Sequence, residues 1–180
     1  MKILRRIIIL LLILIAVALT ASLFIDKDYS VQREVIINKP NAEVFDYLKY
    51  LKNQEEFSKW ATMDPHTRRT YTGIDGQVGF ISAWESDSAN VGAGEQEIMK
   101  IIGSERIEIE LRFLEPFEST ELAYFVTEEI SPEQTKVIWG FDGSMNRPMN
   151  LMLLFMDFEK MLGEDFEYGL GNAKRILESK

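Results

Sequence analysis

Residues 139–170 read WGFDGSMNRPMNLMLLFMDFEKMLGEDFEYGL and hold five of the chain's eight methionines. The stretch opens on an alternating strand pattern and continues into an apolar stripe at helical spacing, formed by Leu151, Phe155, Phe158, Leu162, Phe166, Ala173 and Leu177. The apolar part, residues 148–158, is too short to cross a bilayer, and Asn150 and Asp157 interrupt it. It therefore predicts a long C-terminal helix of a soluble domain, bent or interrupted near Asp157 or Gly163.

The methionines of this stretch form a second stripe beside the first. They follow at spacings of four, three and four residues: Met145, Met149, Met152 and Met156. Methionine is unbranched and polarizable, so it serves either as a gap filler in a packed core or as the wall of a cavity with a variable occupant. Gly163, Gly169 and Gly171 each lower helix stability by roughly 1 kcal/mol relative to alanine. Such glycines indicate either close packing of the helix or space left beside it.

The segment between Thr67 and Asp142 predicts a meander of antiparallel strands joined by turns that contain glycine or proline. In ERIEIELRF, residues 105–113, the inward face would carry Ile107, Ile109, Leu111 and Phe113. Glutamates and an arginine occupy the alternate positions. Val137, Trp139 and Phe141 likewise point one way. A sheet that is apolar on one face covers a core there and meets water on the other face.

The body of the chain begins with YSVQREVIIN, residues 29–38, whose alternation predicts a strand. A helical spacing follows at Val44, Tyr47, Leu48 and Leu51, and a second short helix is expected to carry Phe57 to Trp60. One strand, two helices, five or six antiparallel strands and a long helix make an α+β layout. We expect a curved antiparallel sheet that grips the C-terminal helix.

The N-terminus predicts a membrane anchor. Residues 7–25 are uncharged and would span roughly 28 Å as a helix, close to the thickness of a bilayer core. Lys2, Arg5 and Arg6 precede this run, so the N-terminus is expected in the cytoplasm and the body outside it. The alternative is a cleaved signal peptide, because Ala16 and Ala18 form an A-x-A motif. We divide the chain into an anchor, residues 1–27, and a ligand-binding domain, residues 28–180.

Composition excludes several classes of site. The chain has no cysteine and one histidine, so a disulfide framework or a structural zinc site is not expected. The net charge is −9, and because the first 25 residues carry three basic side chains and no acid, the rest carries −12. An acidic body repels phosphate backbones, which argues against nucleic-acid binding. No cofactor or metal is expected.

Several segments, taken in order, resemble the SRPBCC (START-like) superfamily and its polyketide cyclase/dehydrase-like branch. They are REVIINKPNAEVFDYLKYLKN, FSKWATMDP, GQVGFISAWES, VGAGEQEI, ERIEIELRFLEPFES, TKVIWGFDG and NLMLLFMDFEKMLGEDFEYGLGNAK. The resemblance covers about residues 29 to 178. It implies a helix-grip fold with a hydrophobic cavity between the sheet and the C-terminal helix, able to take lipids, polyketides or other apolar molecules.

The expected cavity lining combines aromatic side chains of the sheet with the methionine stripe: Trp60, Met63, Trp84, Phe113, Trp139, Phe141, Met145, Met149, Met152 and Met156. Side chains with possible acid–base chemistry are Asp64, His66, Glu85, Glu95, Glu97 and Asp142, but no nucleophile or base pairs with them in the pattern. We therefore favour a membrane-tethered, non-catalytic binder of a hydrophobic small molecule or lipid. The alternatives are a cyclase or dehydratase acting on a polyketide-like substrate, and a protein-interaction module.

Overall fold

The computed structural model describes residues 2–179 as five α-helices, two short 3₁₀ helices and seven strands. The helices are α1 (Lys2–Ser22), α2 (Asn41–Leu48), α3 (Gln54–Phe57), α4 (Lys59–Met63) and α5 (Phe158–Glu178), with 3₁₀ helices at Leu51–Asn53 and Met149–Leu154. The strands are β1 (Asp28–Ile37), β2 (Arg68–Thr72), β3 (Ile81–Glu85), β4 (Ala93–Ile102), β5 (Arg106–Glu115), β6 (Ser119–Ser131) and β7 (Gln134–Ser144).

The seven strands form one curved antiparallel sheet in the order β1-β7-β6-β5-β4-β3-β2. Six strands thus follow the short helices, and the predicted α+β class is confirmed. Strand alternation sets the two faces as predicted: Ile107 and Ile109 are buried, whereas Glu108 and Glu110 lie on the outer face with Arg112. The inner face therefore carries the core, and the helices cover it.

Helix α5 packs on the inner face of the sheet through its buried residues Phe166, Leu170, Ala173 and Leu177. Two of its glycines are there because the helix comes very close to other groups. A Cβ on Gly163 would lie 2.1 Å from a guanidinium nitrogen of Arg33, and a Cβ on Gly169 would lie 2.6 Å from Cζ3 of Trp139. Nothing lies within 4 Å of the corresponding position at Gly171. Close packing thus explains Gly163 and Gly169 but not Gly171.

The helical stripe begins later than the spacing predicts. Helix α5 starts at Phe158, because the side chain of Asp157 accepts a hydrogen bond from the Lys160 amide (2.9 Å) and caps a new helix. The preceding apolar turn is a separate 3₁₀ helix, so Leu151 and Phe155 do not extend the buried face of α5. Phe155 is 86% exposed. The expected interruption near Asp157 is confirmed.

Helix α1 has the length and apolar composition to cross a membrane, and within residues 2–179 it alone does. The last carbonyls of a helix lack partners within the helix. Here two side chains from the segment after β7 act as hydrogen-bond donors to the carbonyls at the end of α1. Asn150 donates to the carbonyls of Ser22 and Ile25 (both 2.9 Å), and Arg147 donates from Nε to Ser22 (2.9 Å). The end of α1 is thereby joined to the body by side-chain hydrogen bonds as well as by the chain.

A candidate ligand cavity between sheet and helices

A cavity of about 420 Å³ lies between the inner face of the sheet and helices α3, α4 and α5. Sites for small molecules in proteins commonly have volumes of roughly 300–1,000 Å³ and mainly apolar walls. The sheet contributes Ile109, Leu111, Phe113 and Phe141, and α5 contributes Phe158, Leu162 and Phe166. The size and the character of the walls are those of a site for one apolar molecule.

Trp139 of β7 forms the floor of the cavity where the sheet meets α5. Its ring is 5% exposed and stacks on Phe166 at 4.7 Å between ring centroids. Trp60 of α4 stands perpendicular to both rings, 6.2 Å from Trp139 and 5.7 Å from Phe166. Edge-to-face and offset aromatic pairs of this kind are favourable beyond the area they bury. The floor is therefore a fixed aromatic surface.

Trp84 and Phe113 form the wall farther from α5, with centroids 6.0 Å apart and rings nearly perpendicular. Gly94 on the neighbouring strand makes room for this indole, since a Cβ there would lie 2.6 Å from Cζ2 of Trp84. All three tryptophans of the chain line the cavity. Their fluorescence therefore reports on the cavity and on its occupant.

Small side chains leave the space open in the middle of the sheet. Ala123 of β6 points inward next to Ile109 and Phe141 of the adjacent strands, and Ser82 of β3 also faces the cavity. Both are buried. A larger side chain at either position would extend into the cavity. These two positions make room that the surrounding aromatic residues do not fill.

One ionisable pair lies on the wall, formed by Glu121 of β6 and Tyr29 of β1. Burial raises the pKa of the Glu121 carboxyl, although that carboxylate also accepts a hydrogen bond from the Ser144 amide (2.9 Å). Burial, and to a lesser degree the nearby charge of Glu121, raises the pKa of Tyr29 to about 12. The tyrosine ring packs against Phe158 at 5.2 Å. The pair gives an apolar cavity one polar zone.

A second polar zone lies near α3 and α4. Gln54 and Ser58 are buried there, and Arg69 of β2 donates a hydrogen bond to the Ala61 carbonyl (2.5 Å). These groups can fix the orientation of a ligand but include no evident nucleophile. Within residues 2–179 no three acidic or histidine side chains are grouped so that they could hold a metal ion.

The structure brings together half of the predicted lining residues. Trp60, Trp84, Phe113, Trp139 and Phe141 lie on the cavity wall. The methionines lie elsewhere: Met63, Met145, Met149, Met152 and Met156. The helical spacing that grouped four of them requires one continuous helix, but Met145 follows the end of β7, Met149 and Met152 belong to the 3₁₀ helix, and Met156 precedes α5. They therefore do not share a helix face.

The acid–base candidates also lie away from the cavity. Asp64 accepts hydrogen bonds from the Ser86 hydroxyl and the backbone amide of His66, and His66 itself is exposed. Glu85 pairs with Arg68 on the surface, and Asp142 accepts a hydrogen bond from Ser30 (2.7 Å). These contacts are local and bring no two of the four together on the cavity wall.

Glu95 and Glu97 do share a strand face, as predicted, but a cation lies between them. Arg112 pairs with Glu95 at 2.6 Å, with Glu97 at 2.8 Å and with Glu110 at 2.5 Å on the outer face of the sheet. These three hydrogen bonds raise the pKa of the Arg112 guanidinium. The cluster is an ion-pair network that holds β4 and β5 together on the solvent side.

Sequence reasoning missed Glu121, although the signal for it was present. In TELAYFV, residues 120–126, strict alternation puts Glu121 on the same face as Ala123 and Phe125, which are buried. A glutamate in phase with core residues on a strand is an inward-pointing carboxyl, and buried carboxyls are common at functional sites. Alternation also puts Tyr29 on the same face as the buried Val31, but the contact of Tyr29 with Phe158 depends on the position of α5.

Comparison with known proteins supports the fold and goes no further. No family model matches the chain, and no curated protein matches it. Among solved structures, an uncharacterized protein from Rhizobium leguminosarum has a TM-score of 0.55 at 18% identity, covering 86% of this chain and 97% of that one. A protein of unknown function from Staphylococcus aureus has a TM-score of 0.64 at 10% identity, with 86% and 96% covered.

DynU16, from the dynemicin biosynthetic locus, has a TM-score of 0.55 at 15% identity, and the match covers 83% of this chain and 47% of that one. At identities this low the likeness shows the fold alone. The likeness therefore assigns no ligand and no activity to the cavity.

Proposed function

We propose that this chain is a membrane-tethered domain of the SRPBCC (START-like) type that binds one hydrophobic or amphipathic small molecule, such as a lipid or a polyketide-like compound. The observation that carries the proposal is the cavity of about 420 Å³ with all three tryptophans in its walls. Burying about 300 Å² of apolar ligand surface would contribute roughly 7 kcal/mol before the costs of association. Binding therefore requires no catalytic group.

The polar zone beside Tyr29 and Glu121 favours a ligand that is apolar along most of its length and polar at one end. The raised pKa of Glu121 means that its carboxyl retains a proton at higher pH than an exposed glutamate does. A protonated carboxyl can donate a hydrogen bond to a hydroxyl or carbonyl oxygen of the ligand. An amphipathic molecule would place that group near Glu121 and its apolar part against Trp139.

The tether and the location belong to the same proposal. Helix α1 would cross the membrane once, with Lys2, Arg5 and Arg6 on the cytoplasmic side and residues 28–180 in the cell envelope. A domain secreted after signal cleavage is the alternative. In either case the ligand would be met outside the cytoplasm.

Native mass spectrometry of the full chain, released from detergent micelles, tests the binding proposal. We expect a single apolar molecule retained at one per chain. Ala123→Phe would fill the cavity and remove this adduct, whereas Leu122→Phe on the outer face of the same strand would keep it. Circular dichroism checks that both variants are folded. An empty wild-type chain, or an adduct that both variants retain equally, would contradict the proposal.

Glu121 also supports a second candidate, an enzyme of the cyclase or dehydratase type. A buried carboxyl with a raised pKa is suited to act as a proton donor to a bound substrate. Incubation with a β-hydroxyacyl thioester would then produce loss of one water from the substrate, detected by mass. Glu121→Gln would stop this reaction, while Glu118→Gln in the adjacent turn would not. Turnover that Glu121→Gln leaves unchanged would exclude this role.

A further inference from the structure

One end of the sheet collects the N-terminus of β1 and the loops that precede α5. The strand registers pair Asp28 with Ser144, Phe113 with Ser119, and Glu85 with Ala93. The loops 86–92 and 116–118 and the segment 145–157 therefore all lie at the end where α1 joins the body. The turns at Gly103-Ser104 and Pro132-Glu133 lie at the opposite end.

Six exposed apolar side chains lie at this end of the sheet, in β5, in the turn after it and in the segment before α5. We name them the apolar rim: Leu114, Phe117, Met149, Met152, Leu154 and Phe155. Phe117 is 78% exposed and Phe155 is 86% exposed. Together with Phe24, which is 85% exposed just after α1, they are the exposed phenylalanines within residues 2–179. Single exposed apolar residues are ordinary on a protein surface, but a cluster of this kind marks an interaction surface.

The segment 145–157, which carries four of the six rim residues, is hydrogen-bonded to the end of α1 and the residues that follow it. Asn150, which is fully buried, donates hydrogen bonds to carbonyls of Ser22 and Ile25, and the Met145 amide donates to the Lys27 carbonyl (2.8 Å). Only residues 23–27 separate α1 from β1, which limits the link to about 20 Å even when fully extended. If α1 crosses a bilayer, this end of the body cannot lie far from the membrane surface.

The cavity reaches the same end. Its wall includes Val91 from the loop after β3, Pro116 and Phe117 from the turn after β5, and Tyr29 from the start of β1. Phe117 thus belongs both to the cavity wall and to the apolar rim. A ligand that leaves along this wall meets the rim before it meets open water.

We propose that the apolar rim inserts into the outer surface of the bilayer and places the mouth of the cavity against lipid. An apolar ligand could then pass between the membrane and the cavity without crossing water. Exposed aromatic and aliphatic side chains are the groups that bind the membrane interface. A protein partner could cover the same patch, but its attachment to α1 favours the bilayer. The proposal rests on the membrane tether proposed above and does not depend on which ligand binds.

Site-directed fluorescence on the full chain in phosphatidylcholine liposomes tests this inference. Because the chain has no cysteine, each introduced cysteine is a single labelling site for an environment-sensitive nitrobenzoxadiazole group. The rim variants are Phe117→Cys and Phe155→Cys. The controls are Ile13→Cys within α1 and Glu133→Cys, an exposed residue in the turn at the opposite end.

We expect severalfold higher emission from labels at positions 117, 155 and 13 than from a label at position 133. When the lipid carries bromine on its acyl chains, the emission from positions 117, 155 and 13 should be quenched. The quenching matters because a label at position 117 could otherwise fold into the cavity. If the label at position 117 or 155 emits as weakly as the label at position 133 while the label at position 13 reports lipid, the insertion of the apolar rim is refuted. The membrane tether would still stand in that case. Water-like signals at all four positions would overturn both.

Discussion

Replacing Gly169 and Gly171 by alanine, one at a time, tests how closely α5 packs on the floor of the cavity. Both residues lie within α5, two positions apart, so alanine should improve helix propensity by about 1 kcal/mol at each. They differ in their surroundings. A Cβ at position 169 would lie 2.6 Å from Cζ3 of Trp139, whereas position 171 is exposed and open.

The steric cost at position 169 follows from how tightly Trp139 is held. To reach an ordinary contact distance the indole would have to shift by about 1 Å, since real carbon contacts lie near 3.5–4.0 Å. Phe166 at 4.7 Å and Phe125 at 5.0 Å confine the ring. Overpacking a core in this way costs roughly 1–3 kcal/mol. Because the propensity gain is common to both variants, Gly171→Ala should be more stable than Gly169→Ala by about 1–3 kcal/mol.

Thermal unfolding of the full chain in detergent micelles, followed by tryptophan fluorescence, measures this difference. The fluorescence reports only on the domain, because all three tryptophans lie outside α1. For a domain of this size, about 1 kcal/mol corresponds to roughly 2–4 °C in Tm. We expect Gly171→Ala to melt above wild type and Gly169→Ala to melt below Gly171→Ala. Equal melting temperatures for the two variants would refute the close contact between α5 and Trp139.

Three further predictions concern polar groups. Arg112→Met should lower the free energy of unfolding by about 1–2 kcal/mol at pH 7, because three glutamates lose their shared cation. Lys136→Met, which breaks a single ion pair with Glu128, should cost under about 1 kcal/mol, and equal losses in urea titrations would argue against the network. Glu121→Gln should raise Tm at pH 8 but not below about pH 4. A carboxyl whose folded pKa is raised lowers stability progressively as the pH rises from its unfolded pKa of about 4.3 to its folded pKa, and fully above that. A Tm gain that does not depend on pH would show that burial of this carboxyl carries no charge penalty. Asn150→Ala should lower the free energy of unfolding by about 1–3 kcal/mol and speed proteolytic cleavage within residues 23–27, because Ser22 and Ile25 lose their hydrogen-bond donor. Asn146→Ala, at an exposed position nearby, should have neither effect. An unchanged cleavage rate in Asn150→Ala would mean that these hydrogen bonds do not hold the junction between α1 and β1.

Strand periodicity predicted most of the fold, because a sheet with one buried face requires an apolar residue at every second position, and this alternation can be seen in the sequence. Ile107 and Ile109 on the inner face, and the ion pairs of Arg112 on the outer face, both follow from that alternation. The same rule, applied to β6, would have identified Glu121 on the cavity wall. Alternation alone therefore identifies this inward carboxyl, although no acid–base motif surrounds it in the sequence.

The methionine segment shows where periodicity fails. Spacings of three and four describe one face only while a helix is continuous, and Asp157 begins a new helix after the 3₁₀ turn. Met149 and Met152 therefore do not lie on the cavity wall that their spacing predicted, and both are exposed. The cavity itself depends on the volume left unfilled by side chains from all seven strands, three α-helices and a 3₁₀ helix. Small inward residues such as Ala123 indicate that space could remain, but no local pattern fixes how much.

The most direct test of ligand binding is a fluorescence titration of the full chain, reconstituted in phosphatidylcholine nanodiscs, with a short-chain brominated fatty acid. Trp60, Trp84 and Trp139 all face the cavity, so a bound bromine should quench a large share of the emission. We expect quenching that saturates at one molecule per chain and is lost in Ala123→Phe. Quenching that rises in proportion to the added acid without saturation, or that Ala123→Phe leaves unchanged, would contradict it.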